Sequence, residues 1–385
     1  MTQLQAIQDY VHQHKEDILH LLEQVVNIES GPDQPENIRE IHAVLKPHLE
    51  EIGCKIRTVA MDNGADVLIA DWDNGSQKAP IVFGGHIDTV FYEGTVIKHP
   101  FHIIEDKAYG PGVLDMKSGV VMAIYVLKAL HAIGYNNYPI RLVIVGDEET
   151  AHRFTTADQV MMDEFTGAEF MLNFESGRLD HHFYTSRKGA AIMKVMIEGV
   201  SAHSGVGARK GRSAILEAAH KIVALEALND LDRGKMINCG VIEGGTSANT
   251  IPGDCEFLIT YRFPTQRIKE EIEADLKKVL NDQYVEDTKT TYEMQGMIDA
   301  FEMLETVHSL FDHFQQVAKS MEYGPLEAVT GEGGSDAAYA SKVGVPAICS
   351  VGGPGEHAHT LEEYISIPAF FERLIFITEA VNKYQ

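Results

Sequence analysis

Residues 80–90, "PIVFGGHIDTV", decide the architecture of this chain. The first half is a continuous apolar run, the pattern of a strand buried on both faces of a sheet. The second half brings His86 and Asp88 two residues apart, on one face if the strand continues. Ligands of open parallel sheets bind beyond the carboxyl ends of the strands. The stretch therefore predicts an α/β sheet and says where its chemistry should lie. A His with a carboxylate beside it suits a metal ligand and its orienting partner. By itself, the same pair is more often a plain hydrogen-bonded one.

Working outward, apolar positions at helical spacing predict helices over 4–28, 36–52 and 116–133. Strands are expected at 54–60, 66–72, 138–146 and 168–174. Strand-helix-strand repetition gives a layered α/β domain with a largely parallel sheet. The pattern changes near Arg187. Strands at 188–198, 236–243, 249–263 and 288–294 alternate with helices at 211–229 and 265–281, in ferredoxin-like order. Helices at 303–320 and 335–342, the buried strand "VPAICSV" and a closing helix from about 367 resume the first pattern. The expected organisation is a catalytic domain of 1–186 and 303–385, with an insert of 187–302.

Thirty-two basic against 57 acidic residues give a net charge of −25. That balance argues against nucleic acid or an anionic membrane as partner. No apolar run approaches the ~20 residues that span a bilayer. The first 26 residues are amphipathic and acidic, unlike a signal peptide. The four cysteines are scattered without a CxxC pair, so a cytoplasmic protein is expected.

Further carboxylates and histidines stand just beyond predicted buried strands or close to one. Asp115 lies in "GPGVLDMKSG" (110–119), which alone reads equally well as a turn with an N-cap. "VIVGDEET" (143–150) ends in Asp147, Glu148 and Glu149, a crowding that is costly without a cation. "LNFESGR" (172–178) adds Glu175, and "EHAHTLEEY" (356–364) adds His357 and His359. In a parallel sheet these ends converge on one rim. Two histidines and three carboxylates suit a pair of zinc-like ions, with a further carboxylate left as base.

Nine motifs in order, "GGHIDTV", "GPGVLDMKSG", "GDEET", "NFES", "GVSAHSG", "GGTSANTIPGD", "YRFP", "GEGGSDAAY" and "HTLEEYI", make the chain resemble the M20 zinc metallopeptidases over nearly its whole length. That family takes in carboxypeptidase G2-like glutamate carboxypeptidases, peptidase T, acetylornithine deacetylases and succinyl-diaminopimelate desuccinylases. The resemblance implies a zinc-exopeptidase-like catalytic domain and an inserted ferredoxin-like lid and dimerisation domain. It implies two Zn²⁺ per chain, with Mn²⁺ or Co²⁺ also fitting such ligands. His86 and Glu175 would hold one ion, Glu149 and His359 the other, and Asp115 would bridge them. His359 is preferred to His357 because Glu363 and Tyr364 follow it at the family's spacing. Asp88 would orient His86, and Glu148 would be the general base. The peptide after Asp115 is typically cis in the family.

In the insert, His203 would reach across a homodimer interface to the scissile carbonyl oxygen. Arg262 and Asn249 would hold the substrate carboxylate, and Gly333, Gly334 and Ser335 would wall its terminus. The chain departs from many relatives at Ser118, Ser176, Thr260 and Thr150-Ala151-His152-Arg153. Every ligand and the base remain, but residues 150–153 border the expected cleft. The expected activity is hydrolysis of a C-terminal peptide bond beside a free carboxylate, on a small peptide. An N-acyl amino acid deacylase is the alternative, and an inactive binding relative a weaker one. A dinucleotide oxidoreductase is weaker still, because "GPGVLD" lacks GxGxxG and no glycine fingerprint follows the first strand.

Overall fold

The apolar runs become the centre of an eight-stranded sheet in the computed structural model, which describes residues 2–385. Ile140–Val145, Ile81–His86, Phe170–Asn173 and Ala347–Cys349 lie side by side and parallel. Val67–Trp72 and then Lys55–Val59 extend one edge antiparallel. His182–Arg187 and Glu327–Gly331 extend the other. The sheet is thus parallel at its centre and mixed at its edges.

Alternate residues of the central strands enter different cores. Phe83, Leu142, Ile144 and Leu172 point into one cluster with the helices Ser118–Ala132, Glu305–Ser320 and Ile367–Lys383. Val82, Val143, Val145 and Met171 point into another, with Ala157–Phe165 and Ala337–Lys342. A sheet covered on both faces explains why its strands read as unbroken apolar runs. The helix Ser118–Ala132 is buried over nearly its whole length, which accounts for its lack of a polar face.

A second compact unit comprises Arg187–Ala300 and Glu332–Gly334, while the rest of the described chain forms the first. Its antiparallel sheet runs Met236–Gly244, Asp254–Phe263, Gly189–Glu198, Lys289–Ile298. The helices Ala214–Glu226 and Gln266–Asn281 complete the ferredoxin-like order around a separate core of Val195, Phe257, Ile259 and Ile272. Ser213 and Thr265 start these helices by accepting the backbone N–H three residues on.

Some elements differ from expectation. The stretch 4–28 is two helices, Gln3–Gln13 and Lys15–Val26, broken at His14 without a Gly or Pro to signal it. The run 249–263 is two strands, Thr250–Ile251 and Asp254–Phe263, parted at Pro252 and Gly253. The helix Ala157–Phe165, the two strands at the second edge and a small sheet of His102–Ile104, Lys107–Tyr109, Tyr364–Ser366 and Gly355–Glu356 were not foreseen.

Gly119 shows how closely the first turn of Ser118–Ala132 is held to the neighbouring strand. A Cβ there would lie 1.8 Å from the Phe174 carbonyl oxygen, one residue before Glu175. Helix propensity favours Gly119→Ala by ~1 kcal/mol, but overpacking against backbone costs about 1–3 kcal/mol or more. The expected result is a lower denaturation midpoint. A midpoint equal to or above that of the parent protein would show that the contact is not tight.

Candidate metal centre

His86 ends its strand with a side chain only 1% exposed. Its Nδ1 lies 3.3 Å from Asp88 Oδ1 and 3.2 Å from the Asp88 carbonyl oxygen. This leaves Nε2 facing Asp115 Oδ1 at 3.4 Å and Glu175 Oε1 at 3.7 Å. On the other side, His359 Nε2 lies 3.1 Å from Asp115 Oδ2 and 3.3 Å from Glu149 Oε1. Asp115 therefore turns one oxygen toward each of two His–Glu pairs.

Local structure explains how Asp115 gets there. It sits on a tight turn between Gly112, whose φ of 73° is left-handed, and the helix beginning at Ser118. The Asp115–Met116 peptide is cis. Glu363 is buried and accepts the Gly112 N–H, so it ties the loop carrying His359 to the turn carrying Asp115. Burial pushes the Glu363 carboxyl up to about 8. The sequence reading used Glu363 only as a spacing mark and missed this link.

Asp88 has a second task as well. Its Oδ1 and Oδ2 accept the backbone N–H groups of Glu148 and Glu149 at 3.1 and 2.9 Å. One carboxylate thereby fixes both the His86 ring and the turn after Ile140–Val145. The side chain of His152, beyond that turn, is buried between Asp147 and Asp336. The only sequence signal for it was the departure at 150–153.

The charges explain the direction of each shift. Burial pushes the Glu148 carboxyl well up, with Glu175, Asp336 and Glu149 adding to it and His86 opposing. Burial raises Glu149 too, against the nearby His359 and His86. Burial would strip His86 of its proton, but Asp115, Asp88 and Glu175 outweigh it and hold the ring far above its usual range. Asp115 and Glu149 push His359 up to about 11. Burial also opposes ionisation of Asp115, but His359 and His86 prevail and keep it well below the usual carboxylate range.

A cation fits this donor set. Nitrogen and oxygen atoms of His86, Asp115 and Glu149 lie within 4.8 Å of one another. Asp115 Oδ1 and Glu149 Oε1 are buried without a hydrogen bond, which is costly unless a positive charge meets them.

The remaining predicted residues lie in the second unit, except Ser335. His203 pairs with Thr250 across two short strands, and the Ser204 N–H reaches the Asn249 carbonyl oxygen at 2.9 Å. His203 and Asn249 are thus neighbours, both exposed. The His203 Nδ1 accepts the Gly205 N–H at 3.1 Å, so a neutral ring carries its proton on Nε2. Arg262 donates from Nη1 to the Glu332 carbonyl oxygen at 2.6 Å. Arg187 lies 3.4 Å from the carbonyl oxygens of both Gly333 and Gly334. Ser335 is wholly buried, its hydroxyl 3.4 Å from Cys349 Sγ.

Residues 82–383 match the model of peptidase family M20/M25/M40. The chain belongs to this family. It is therefore a hydrolase of a metal-dependent family that typically uses zinc. Carboxypeptidase G2 of Pseudomonas sp. (strain RS-16) is 29% identical over 370 residues, covering 93% of this chain and 86% of that protein. An acetylornithine deacetylase of Myxococcus xanthus is 26% identical over 254 residues, 60% of each chain. The structure of the aminopeptidase PepT of Bacillus cereus superposes with a TM-score of 0.79 at 19% identity, covering 96% of this chain and 98% of that one. No described helix is long and apolar enough to cross a membrane.

Protons would compete with a metal ion for this centre. Both histidines are held above their usual range, so a metal ion that took these rings as ligands would displace protons from them. Zinc affinity is expected to fall as pH falls from 8 to 6, with protons released on binding. Calorimetry in buffers of different ionisation enthalpy reads both. Binding independent of pH and buffer would exclude the two rings as ligands.

Proposed function

We propose that this protein is a dinuclear zinc hydrolase that cleaves an amide bond next to a free carboxylate, in the manner of a carboxypeptidase. The observation that carries the reading is Asp115, with one oxygen toward His86 and Glu175 and the other toward His359 and Glu149. A single carboxylate so placed suits two ions, which would polarise the scissile carbonyl and acidify the attacking water.

Glu148 is the proton carrier. It is buried, its turn is held by Asp88, and its raised pKa suits a group that takes a proton and later gives it away. It deprotonates the water and passes that proton to the leaving amine. His203, with its proton on Nε2, donates to the developing oxyanion. The fork of Arg262, with Asn249, binds the substrate carboxylate. The backbone of Gly333, Gly334 and Ser335 lines the substrate's terminus.

The edge strand Met236–Gly244 exposes Val241 and Ile242, and the helix Ala214–Glu226 exposes Leu216 and Val223. These apolar side chains favour a homodimer through the inserted unit, with His203 acting on the partner's substrate. Deacylation of N-acyl amino acids is the second reading, favoured by the acetylornithine deacetylase relative. It requires the same centre and differs only in the acyl group accepted.

Glutamate-terminal dipeptides set against N-acetyl and N-succinyl amino acids on zinc-loaded protein distinguish the two readings. Glu148→Ala is expected to lose about 10²–10⁴-fold in kcat with its zinc retained. Asp115→Ala should bind less than one zinc per chain. Normal hydrolysis by Glu148→Ala, or a full metal complement in Asp115→Ala, would overturn the assignment of that residue.

A further inference from the structure

Beyond the catalytic turn the backbone doubles back. Ala151 and His152 are both left-handed, with φ of 54° and 52°. This returns the His152 ring to the residue before Glu148. Its Nδ1 lies 2.8 Å from Asp147 Oδ1, and its Nε2 lies 2.8 Å from Asp336 Oδ1. All three side chains are at least nine-tenths buried. An ionised carboxylate only accepts, so a ring with a carboxylate at each nitrogen is satisfied as the doubly protonated imidazolium. Burial would favour the neutral ring, but Asp336 and Asp147 outweigh it and hold the pKa well above the ordinary range.

The neighbours give this ion pair a direction. Asp147 also accepts the Thr155 hydroxyl, and its carbonyl oxygen receives the N–H groups of Thr150 and His152. Asp336 opens the helix Ala337–Lys342 and is one of the charges that act on Glu148. Asp88 holds the catalytic turn from one side by its N–H groups. On the other side, the turn is fastened through Asp147, His152 and Asp336.

We propose that His152 is a positioning residue for the hydrolytic centre, tying the turn of Glu148 and Glu149 to the start of the helix at Asp336 and offsetting two carboxylates beside the base. This rests on the reading of Glu148 as base. Without the ring, Asp147 and Asp336 would be buried anions with no counter-charge between them.

His152→Gly suits the left-handed backbone and removes the ring together with its Cβ. On zinc-loaded protein with the substrate found in the panel, kcat is expected to fall roughly ten- to hundredfold. KM should stay within about threefold, since binding contacts are untouched. Bound zinc should be unchanged, and added imidazole should restore part of the rate. A His152→Gly protein that melts cooperatively and keeps full kcat overturns the proposal. Should that variant not fold, Asp336→Asn, which removes one charge and keeps an acceptor, is read by the same split, and an unchanged kcat has the same meaning. Histidine-selective ¹H–¹⁵N spectra of the parent protein need no substrate. Two ring N–H signals lost in His152→Gly support the tie, and a ring with one bare nitrogen overturns it. Glu148→Ala separates the two readings. Turnover surviving there removes the base and leaves the tie to stand on its own kcat loss. A dead Glu148→Ala beside a fully active His152→Gly removes the tie and leaves the base.

Discussion

Carboxylates crowded at one rim of a sheet, out of water, must be met by positive charge, and that constraint organises this protein. Asp88, Glu148 and Glu175 are buried, and Asp115 and Glu149 nearly so. Each would be costly alone. The chain offsets part of the charge with His86 and His359 and part with backbone N–H groups directed at Asp88. The two buried oxygens left without hydrogen bonds, on Asp115 and Glu149, mark where that compensation stops. The family is metal-dependent, and a cation would complete the compensation here.

The rim exists because the four central strands are parallel. Their carboxyl ends share one side, so residues far apart in sequence meet there. Glycine allows the close fit behind them, as at Gly119 against Phe174. The Glu363 bond to Gly112 then couples the last contributor, His359, to the Asp115 turn about 250 residues earlier.

Much of this was legible in the sequence because burial on both faces leaves a plain signature. Val82 and Phe83 enter opposite cores, so both had to be apolar, and "PIVFGG" could hardly be read otherwise. The rim residues were legible because polar groups broke off at the ends of such runs. What escaped was set by tertiary context. His182–Arg187 buries only Phe183 and Thr185 in full, and the edge strand Glu327–Gly331 is mostly exposed, so neither carries an apolar run. The break at His14 has no punctuating residue. The partners of His152 stand five residues before it and 184 after, so no local pattern reveals the ion pair. The second role of Asp88 was invisible too, because it is to backbone, which leaves no mark in a sequence.

The ends of the inserted unit lie beside each other. Ala190, just inside its start, pairs with Ile298, just before its finish. A chain that enters and leaves at one place disturbs its host little. The insert brings its own core of Val195, Phe257 and Ile259, which it need not borrow from elsewhere. Such a piece is portable. It can be lost, replaced or enlarged over evolutionary time without rebuilding the sheet that carries the charged rim. Selection can thus act on the residues of the insert separately from those of the rim.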